Sequence, residues 1–179
     1  MVDAGFFAKR IEPNPDWLCA AAVHEVCSVS HFVSAGPDGW VERWLHNGLG
    51  WFNHASDALE VVPLDQRQTV RLFGYRLYPR FFREGRQHPL ALPSDVRPDP
   101  IPPTFQSLGF DCVSKFMDSS LGFDCSPLSC NGIATELLTN QHCLCPSLAA
   151  AVAGAARLSI EQPEPGDYYV VEVLEERAD

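Results

Sequence analysis

The sequence lacks any run of 18 consecutive apolar residues, so no segment of it is long enough to form a transmembrane helix. Residues 1–18 have an acid at position 3, two prolines and no apolar run of the length found in signal peptides. Because nothing in the sequence directs export, we expect a cytoplasmic protein whose cysteines remain reduced.

Several motifs of enzyme chemistry are also missing. The sequence has no GxxxxGK[ST] phosphate-binding loop and no GxGxxG dinucleotide motif. It has neither the HExxH pattern of zinc peptidases nor the GxSxG pattern of serine esterases. Nucleotide hydrolysis, dinucleotide redox chemistry, and peptidase or esterase activity of these types are therefore without support.

Positive charge is scarce and confined. The 179 residues include 13 Lys and Arg against 23 Asp and Glu, which gives a net charge of -10 and argues against tight binding of polyanions or anionic membranes. Residues 67–88 are the exception, because they contain six arginines and a single acid, Glu84, with aromatic residues between the arginines. The flanks are acidic, with three basic and nine acidic residues in 1–66, and four and thirteen in 89–179.

A mixture of arginine and aromatic residues is typical of protein interfaces and also of surfaces that bind phosphates and stack on bases. It is equally typical of paired strands whose arginines bridge surrounding acids. We favour protein binding, because the acidic flanks would repel a polyanion; a subunit of a nucleic-acid complex that contacts phosphate through residues 67–88 is an alternative. The residues predicted to contact the partner are Arg71, Arg76, Tyr78, Arg80, Phe82 and Arg83.

Composition and length predict a globular chain of one domain. Six prolines between Pro89 and Pro103 cannot continue a helix or a central strand, so residues 89–106 are predicted to form an extended connector. It separates an N-terminal part, residues 1–88, from a cysteine-rich C-terminal part, residues 107–179. The predicted fold is α+β: a single compact domain with a small, mainly antiparallel sheet, several short helices and a Pro-rich strap.

Local patterns predict the elements of this fold. Asp16 before an apolar, Ala-containing run predicts a helix over Trp17–Cys27. Further helices are predicted around Trp40–Leu45, over Gly132–Leu138 and over Ser147–Leu158. Strands are predicted over Thr69–Phe82 (bent or ended at Pro79), Leu108–Ser114 and Asp167–Glu175.

The six-residue sequence SLGFDC occurs twice, at residues 107–112 and 120–125. The favoured interpretation is a hairpin of two paired strands that place Leu and Phe on one face and Asp on the other. The alternative is that Cys112 and Cys125 occupy equivalent positions and converge.

The densest group of candidate ligands is in the C-terminal part. Thiolates and imidazoles are ligands that Zn²⁺ prefers, and four of them complete a tetrahedral shell. The predicted metal ligands are Cys125, Cys130, Cys143, Cys145 and His142, with Zn²⁺ as the possible cofactor. His24, Cys27 and His31 would share one face if the helix ran through them, and could complete such a shell. The alternative is that these cysteines are buried as small apolar side chains.

A catalytic thiol is a further alternative. Cys130 precedes a predicted helix, whose N-terminal dipole would favour its thiolate. His142 would be its base, with Asn131 or Asn140 to orient the imidazole. Such arrangements are assembled in space, so closeness in sequence supports them only weakly.

Two stretches, EVCSVSHFVSAGPDGWVERWLHNG and CSPLSCNGIATELLTNQHCL, resemble uncharacterised bacterial proteins. The resemblance names no family with an assigned activity, so no functional residue is carried over. The leading hypothesis is a small acidic cytoplasmic binding or regulatory protein that acts through a protein–protein interface, with a structural cysteine cluster that holds zinc. The rival is a cysteine-dependent enzyme that uses Cys130 with His142.

Overall fold

The protein has a mainly antiparallel sheet with a few short helices, an α+β fold as predicted. A computed structural model describes residues 1–13, 17–18, 20–30, 46–115, 123, 125–130 and 133–177. Its strands are β1 (Val2–Lys9), β2 (Glu12–Pro13), β3 (Glu25–Val26), β4 (Arg71–Leu77), β5 (Arg80–Arg83), β6 (Arg86–Pro89), β7 (Phe105–Lys115) and β8 (Asp167–Glu176). Its helices are α1 (Ala55–Glu60), α2 (Pro127–Cys130) and α3 (Leu148–Glu161).

Strand β8 lies in the middle of the main sheet. It pairs along one edge with β4 and, through Tyr168, with β5; along the other edge it pairs with the whole of β7. Strand β1 pairs with β4, and β6 pairs with β5. The sheet thus combines strands from both sides of the Pro-rich segment, and the prediction that Thr69–Phe82 is interrupted at Pro79 is confirmed.

Helix α3 packs on β5, β7 and β8. Ser147 is its N-cap and accepts a hydrogen bond from the Ala150 N–H, so the helix predicted over Ser147–Leu158 is present. The buried side of α3 is made of small residues and Leu158, which lets the helix approach so closely that the Cys112 thiol in β7 donates to the Ala151 carbonyl. Cys112 is thereby packed between helix and sheet.

The Pro-rich segment crosses the surface as a strap. Its backbone is fixed by Asn53, whose side-chain amide donates to the Asp95 carbonyl and whose own carbonyl accepts from the Asp99 N–H. Ile101 is buried against Gly74 of β4, where a side chain on the glycine would crowd it. The strap therefore covers one face of the sheet with apolar side chains while its own backbone bonds remain satisfied.

The predicted helix over Trp17–Cys27 is wrong. The described residues of this segment form turns and the short strand β3, which pairs with β2. The backbone N–H groups of His24 and Glu25 both donate to the Gln141 carbonyl, and that of Cys27 donates to the His142 carbonyl. Bonds to a distant loop replace the local bonds that a helix would need.

Other predictions in the same region have mixed outcomes. Residues 133–135 form one 3₁₀ turn in place of the longer helix predicted over Gly132–Leu138. In the second SLGFDC copy only Phe123 and Cys125 are described, and the Cys125 carbonyl accepts from the Ser114 N–H of β7. The predicted helix around Trp40–Leu45 lies outside the described residues, as does His31.

Candidate functional site

Glu25, Cys27 and His142 bring three potential ligand atoms together, all within 4.8 Å of one another. His142 Nδ1 lies 2.6 Å from Glu25 Oε1, and the Cys27 thiol donates to the same oxygen at 3.4 Å. Among the residues that the structure describes, no other set of three His, Cys, Asp or Glu residues meets this separation. The group joins β3 to a loop more than a hundred residues away.

The loop that presents His142 is organised by Asn140. The Asn140 side-chain oxygen accepts from the N–H groups of His142 and Leu144, and its amide donates to the Leu108 carbonyl of β7 at 2.6 Å. Cys143 has a φ of 59°, in the left-handed region, so the chain reverses sharply immediately after His142. Asn140 thus stabilises the turn and binds it to β7.

Arg71 of β4 neutralises the carboxylate of the group. It forms two hydrogen bonds to Glu25, at 2.6 and 3.2 Å, and also binds Glu175 of β8. Partial burial opposes ionisation of Glu25, but the bonds from Arg71 and His142 outweigh it and lower the pKa of Glu25. The carboxylate is therefore ionised, oriented and able to accept from several donors.

Cys27 has the opposite electrostatic character. Burial, reinforced by the negative charge of Glu25, raises the pKa of the Cys27 thiol well above its ordinary value. The side chain is completely buried, so a dissolved substrate has no access to its sulfur. The side chains form a Cys–His–Glu arrangement, but the thiol is protonated and enclosed, which does not suit a nucleophile.

A buried carboxylate, Asp111, and a buried ammonium, Lys9, lie near the group. Asp111 of β7 accepts from the Val29 N–H at 2.8 Å and from the hydroxyls of Ser28 and Ser126, at 3.2 and 2.6 Å. Lys9 of β1 donates to the Ser28 carbonyl. Burial lowers the pKa of Lys9 to about 8, partly offset by the negative charge of Asp111, and it raises the pKa of Asp111 despite these hydrogen bonds.

The donor set of Glu25, Cys27 and His142 suits a metal ion. Thiolate, imidazole and carboxylate together are ligands of borderline divalent ions. Arg71 would remain on the carboxylate as an outer partner that orients it, as is common around protein-bound metals. These three residues can therefore hold a metal ion.

The structure divides the metal ligands that the sequence predicted. Cys125 hydrogen-bonds Cys130, and Cys145 hydrogen-bonds Cys112. The Cys143 thiol donates to the Leu128 carbonyl at 3.7 Å. Only His142 belongs to the group of three, where its partners are Glu25 and Cys27. His24 is exposed, so it does not share a face with the buried Cys27.

Cys130 and His142, the predicted nucleophile and base, have different neighbours. Cys130 ends α2 and contacts Cys125, Ser126 and Ser30, whereas the imidazole of His142 binds Glu25. No hydrogen bond joins the two within the described part of the chain. Asn131 lies outside that part, and Asn140 binds the backbone of His142 and not its ring.

Three of the predicted partner-binding arginines are engaged within the protein. Arg71 binds Glu25 and Glu175, Arg76 binds Asp3 at 2.7 Å, and Arg83 binds Asp167 at 2.7 Å. Phe82 is buried and Tyr78, half-buried, stacks on it. Arg80 is exposed.

Sequence reasoning did not single out Glu25 as a candidate ligand, and it grouped Cys27 with His24 and His31 and not with His142. No short motif contains Glu25, Cys27 and His142, because 117 residues separate the carboxylate from the imidazole. The one signal available was the unusual density of Cys and His in both regions, which led to the expectation that Cys27 could complete a shell with C-terminal ligands.

No helix in the described ranges is long and apolar enough to cross a membrane. No family model matches the chain, and no curated protein or solved structure shows significant similarity to it. The geometry of the candidate site is therefore the basis for proposing a function.

Proposed function

We propose that this is a zinc-binding protein of the cytoplasm and that Glu25, Cys27 and His142 hold the ion. The observation that carries the proposal is the placement of three ligand atoms, from a carboxylate, a thiol and an imidazole, within 4.8 Å of one another. Zn²⁺ is the preferred ion because it binds this mixture of oxygen, sulfur and nitrogen donors without a redox change.

The role that fits the site best is structural. Cys27 is completely buried and the His142 side chain is only 18% exposed, so the site offers little room for a substrate. A bound ion would link residues 25–27 to the loop at 140–145, which the backbone bonds from Cys27 and Glu25 already bring together. Binding that is confined to the folded state would stabilise it.

The proposal predicts one equivalent of Zn²⁺ per chain after anaerobic reduction. Cys27→Ser and His142→Ala should each weaken Zn²⁺ binding at least tenfold, because each removes a ligand. Affinity should fall as the pH is lowered, since the ion displaces the thiol proton. Competition with a chromophoric chelator measures these affinities, and Co²⁺ loading of the wild type should give a thiolate-to-metal absorption band that Cys27→Ser abolishes.

His24→Ala is the matched control, because His24 is an exposed histidine three residues before Cys27. It should leave Zn²⁺ affinity within twofold of wild type, with an unchanged far-UV circular dichroism spectrum in all three variants. Less than a tenth of an equivalent of bound Zn²⁺, or equal affinity for the wild type and His142→Ala, would contradict the proposal.

Binding of a protein partner is a second candidate function, and the exposure of Arg80 and Arg86 favours it. Both belong to the hairpin of β5 and β6, in which β6 lies at the end of the strand order. We therefore propose the part of segment 67–88 around Arg80 and Arg86 as the contact surface, because neither arginine forms an ion pair with a described residue. An acidic protein surface is the partner that such a hairpin would recognise.

Charge reversal of Arg80 and Arg86 to Glu should abolish capture of a protein partner by the immobilised chain, because attraction becomes repulsion. Arg67→Glu is the control, since Arg67 is exposed but lies outside the hairpin. Pull-down at low salt, followed by mass spectrometry, is the measurement. Capture that survives the double reversal, or that nuclease treatment removes, would contradict a protein partner at this hairpin.

A further inference from the structure

Two pairs of thiols are in contact, and they differ in their access to solvent. Cys112 and Cys145 interact with each other, and both are buried. Cys125 and Cys130 also hydrogen-bond each other, but Cys130 is only partly buried. Among the described cysteines, one of these pairs is thus partly open to solvent and the other is buried.

The Cys125–Cys130 pair is held by the single turn of α2. The N–H groups of Ser129 and Cys130 both donate to the Ser126 carbonyl, at 3.0 and 2.8 Å, which folds the chain back toward Cys125. Cys125 is fastened to the sheet through the bond from Ser114 to its carbonyl. The two thiols interact within this turn, and a disulfide between them would bring the sulfur atoms to ~2.05 Å.

The two thiols of this pair have different ionisation. The hydrogen bond from Cys125 lowers the pKa of Cys130 to about 7, and bonds from Ser126 and Ser30 add to this effect against the cost of burial. The same interaction, together with burial, raises the pKa of Cys125. Cys130 is thus the partly buried, partly ionised sulfur and Cys125 is its protonated neighbour, as in pairs of attacking and resolving thiols.

We propose that Cys125 and Cys130 form a reversible dithiol–disulfide site that reduces small, exposed disulfides. The Cys130 thiolate attacks one sulfur of the substrate disulfide, which forms a mixed disulfide and releases one substrate thiolate. Cys125 then loses its proton and attacks Cys130 Sγ, which closes the Cys125–Cys130 bond and releases the second thiolate. Two electrons pass from the cysteine pair to the substrate, and both released thiolates end as thiols.

This site is separate from the proposed zinc group. Neither Cys125 nor Cys130 is among its three ligand residues, and zinc binding requires no oxidation of a thiol. The experiment is therefore run on protein treated with a chelator and also on protein loaded with Zn²⁺, with the same outcome expected in both.

Glutathione disulfide is the probe. Exposure of the reduced full-length protein to it should convert two of the seven thiols into one disulfide, which peptide mapping should locate at Cys125–Cys130. In Cys125→Ser, Cys130 should accumulate a mixed disulfide with glutathione, because the resolving thiol is gone. Cys130→Ser should form neither product, and Cys145→Ser, which alters the enclosed pair, should behave as the wild type.

Alkylation of the unmodified protein provides a measurement that needs no variant. At pH 7, iodoacetamide should modify Cys130 at least tenfold faster than any other cysteine, because about half of it is thiolate against a few per cent of an ordinary thiol. The proposal is overturned by a disulfide that maps to Cys112–Cys145 or to Cys19, by identical products from Cys125→Ser and Cys130→Ser, or by uniformly slow alkylation of all seven thiols.

Discussion

Replacement of Asp111 by alanine is expected to lower the free energy of unfolding by about 3–5 kcal/mol, because several buried donors lose their acceptor at a cost of about 1–3 kcal/mol each. The carboxylate is completely buried and accepts from the Val29 N–H and from the hydroxyls of Ser28 and Ser126. Its removal leaves these donors without their acceptor and leaves Lys9 as a buried ammonium with less compensating negative charge.

Urea unfolding at fixed pH and reducing conditions measures this loss. Asp65→Ala is the matched control, because the same change at an exposed aspartate should alter stability by no more than about 0.5 kcal/mol. Adding Lys9→Met to Asp111→Ala should recover part of the loss, since the double change removes both charges. If Asp111→Ala lowered the free energy of unfolding by less than about 1 kcal/mol, the carboxylate would not stabilise the buried interior as expected.

The position of Asp111 explains why a large effect is expected. Its partners Ser28 and Val29 directly follow Cys27 of the proposed zinc group, and its partner Ser126 directly follows Cys125 of the thiol pair. One carboxylate from β7 therefore anchors the chain beside both candidate sites. Loss of Asp111 should weaken Zn²⁺ binding and slow disulfide formation together, whereas the ligand and cysteine variants should affect only one each.

Elements with strong local signals were predictable from the sequence. The predicted strand over Asp167–Glu175 is β8, and the predicted helix over Ser147–Leu158 is α3 with Ser147 as its cap. Alternation of apolar residues, a capping side chain and the missing N–H of proline act over a few residues, so they can be recognised without knowledge of the fold.

The segment from Trp17 to Cys27 forms hydrogen bonds that local sequence patterns cannot predict. Its apolar, alanine-containing run is compatible with a helix, but its backbone donors go to the carbonyls of Gln141 and His142. Tertiary bonds override a modest local preference, because each backbone donor must find an acceptor and a distant loop offers one.

The candidate site depends on the same contact, between the segment that ends at Cys27 and the loop that contains Gln141 and His142. His142 could be predicted as a ligand or base from its residue type and its cysteine neighbours, but its partners could not. Glu25 resembles any of the many acids of an acidic chain until β3 places it against Arg71 and His142. Likewise, Cys143 and Cys145 differ by only two positions, yet one thiol binds the Leu128 carbonyl and the other binds Cys112.

Gly109→Ala is expected to destabilise the protein by about 3 kcal/mol or more, through backbone strain and steric overlap together. Gly109 lies at an irregularity in the pairing of β7 with β8 and has a φ of +139°, which side chains rarely allow. An added Cβ would lie 2.8 Å from the Cys145 carbonyl oxygen and 2.9 Å from both Asn140 Nδ2 and Leu144 Cβ. These atoms belong to the loop that presents His142, so the substitution should displace the loop and also weaken Zn²⁺ binding.

Gly154→Ala in α3 makes the same chemical change where the chain has room for it. The added Cβ would be 3.4 Å from Leu137 and 3.5 Å from the Cys112 sulfur, which is ordinary contact, and alanine favours a helix over glycine by about 1 kcal/mol. We therefore expect Gly154→Ala to be neutral or slightly stabilising in urea unfolding, in contrast to Gly109→Ala. Equal effects at the two glycines, or a Gly109→Ala variant that keeps both wild-type stability and wild-type Zn²⁺ affinity, would refute the view that close approach of the 140–145 loop to β7 builds the site.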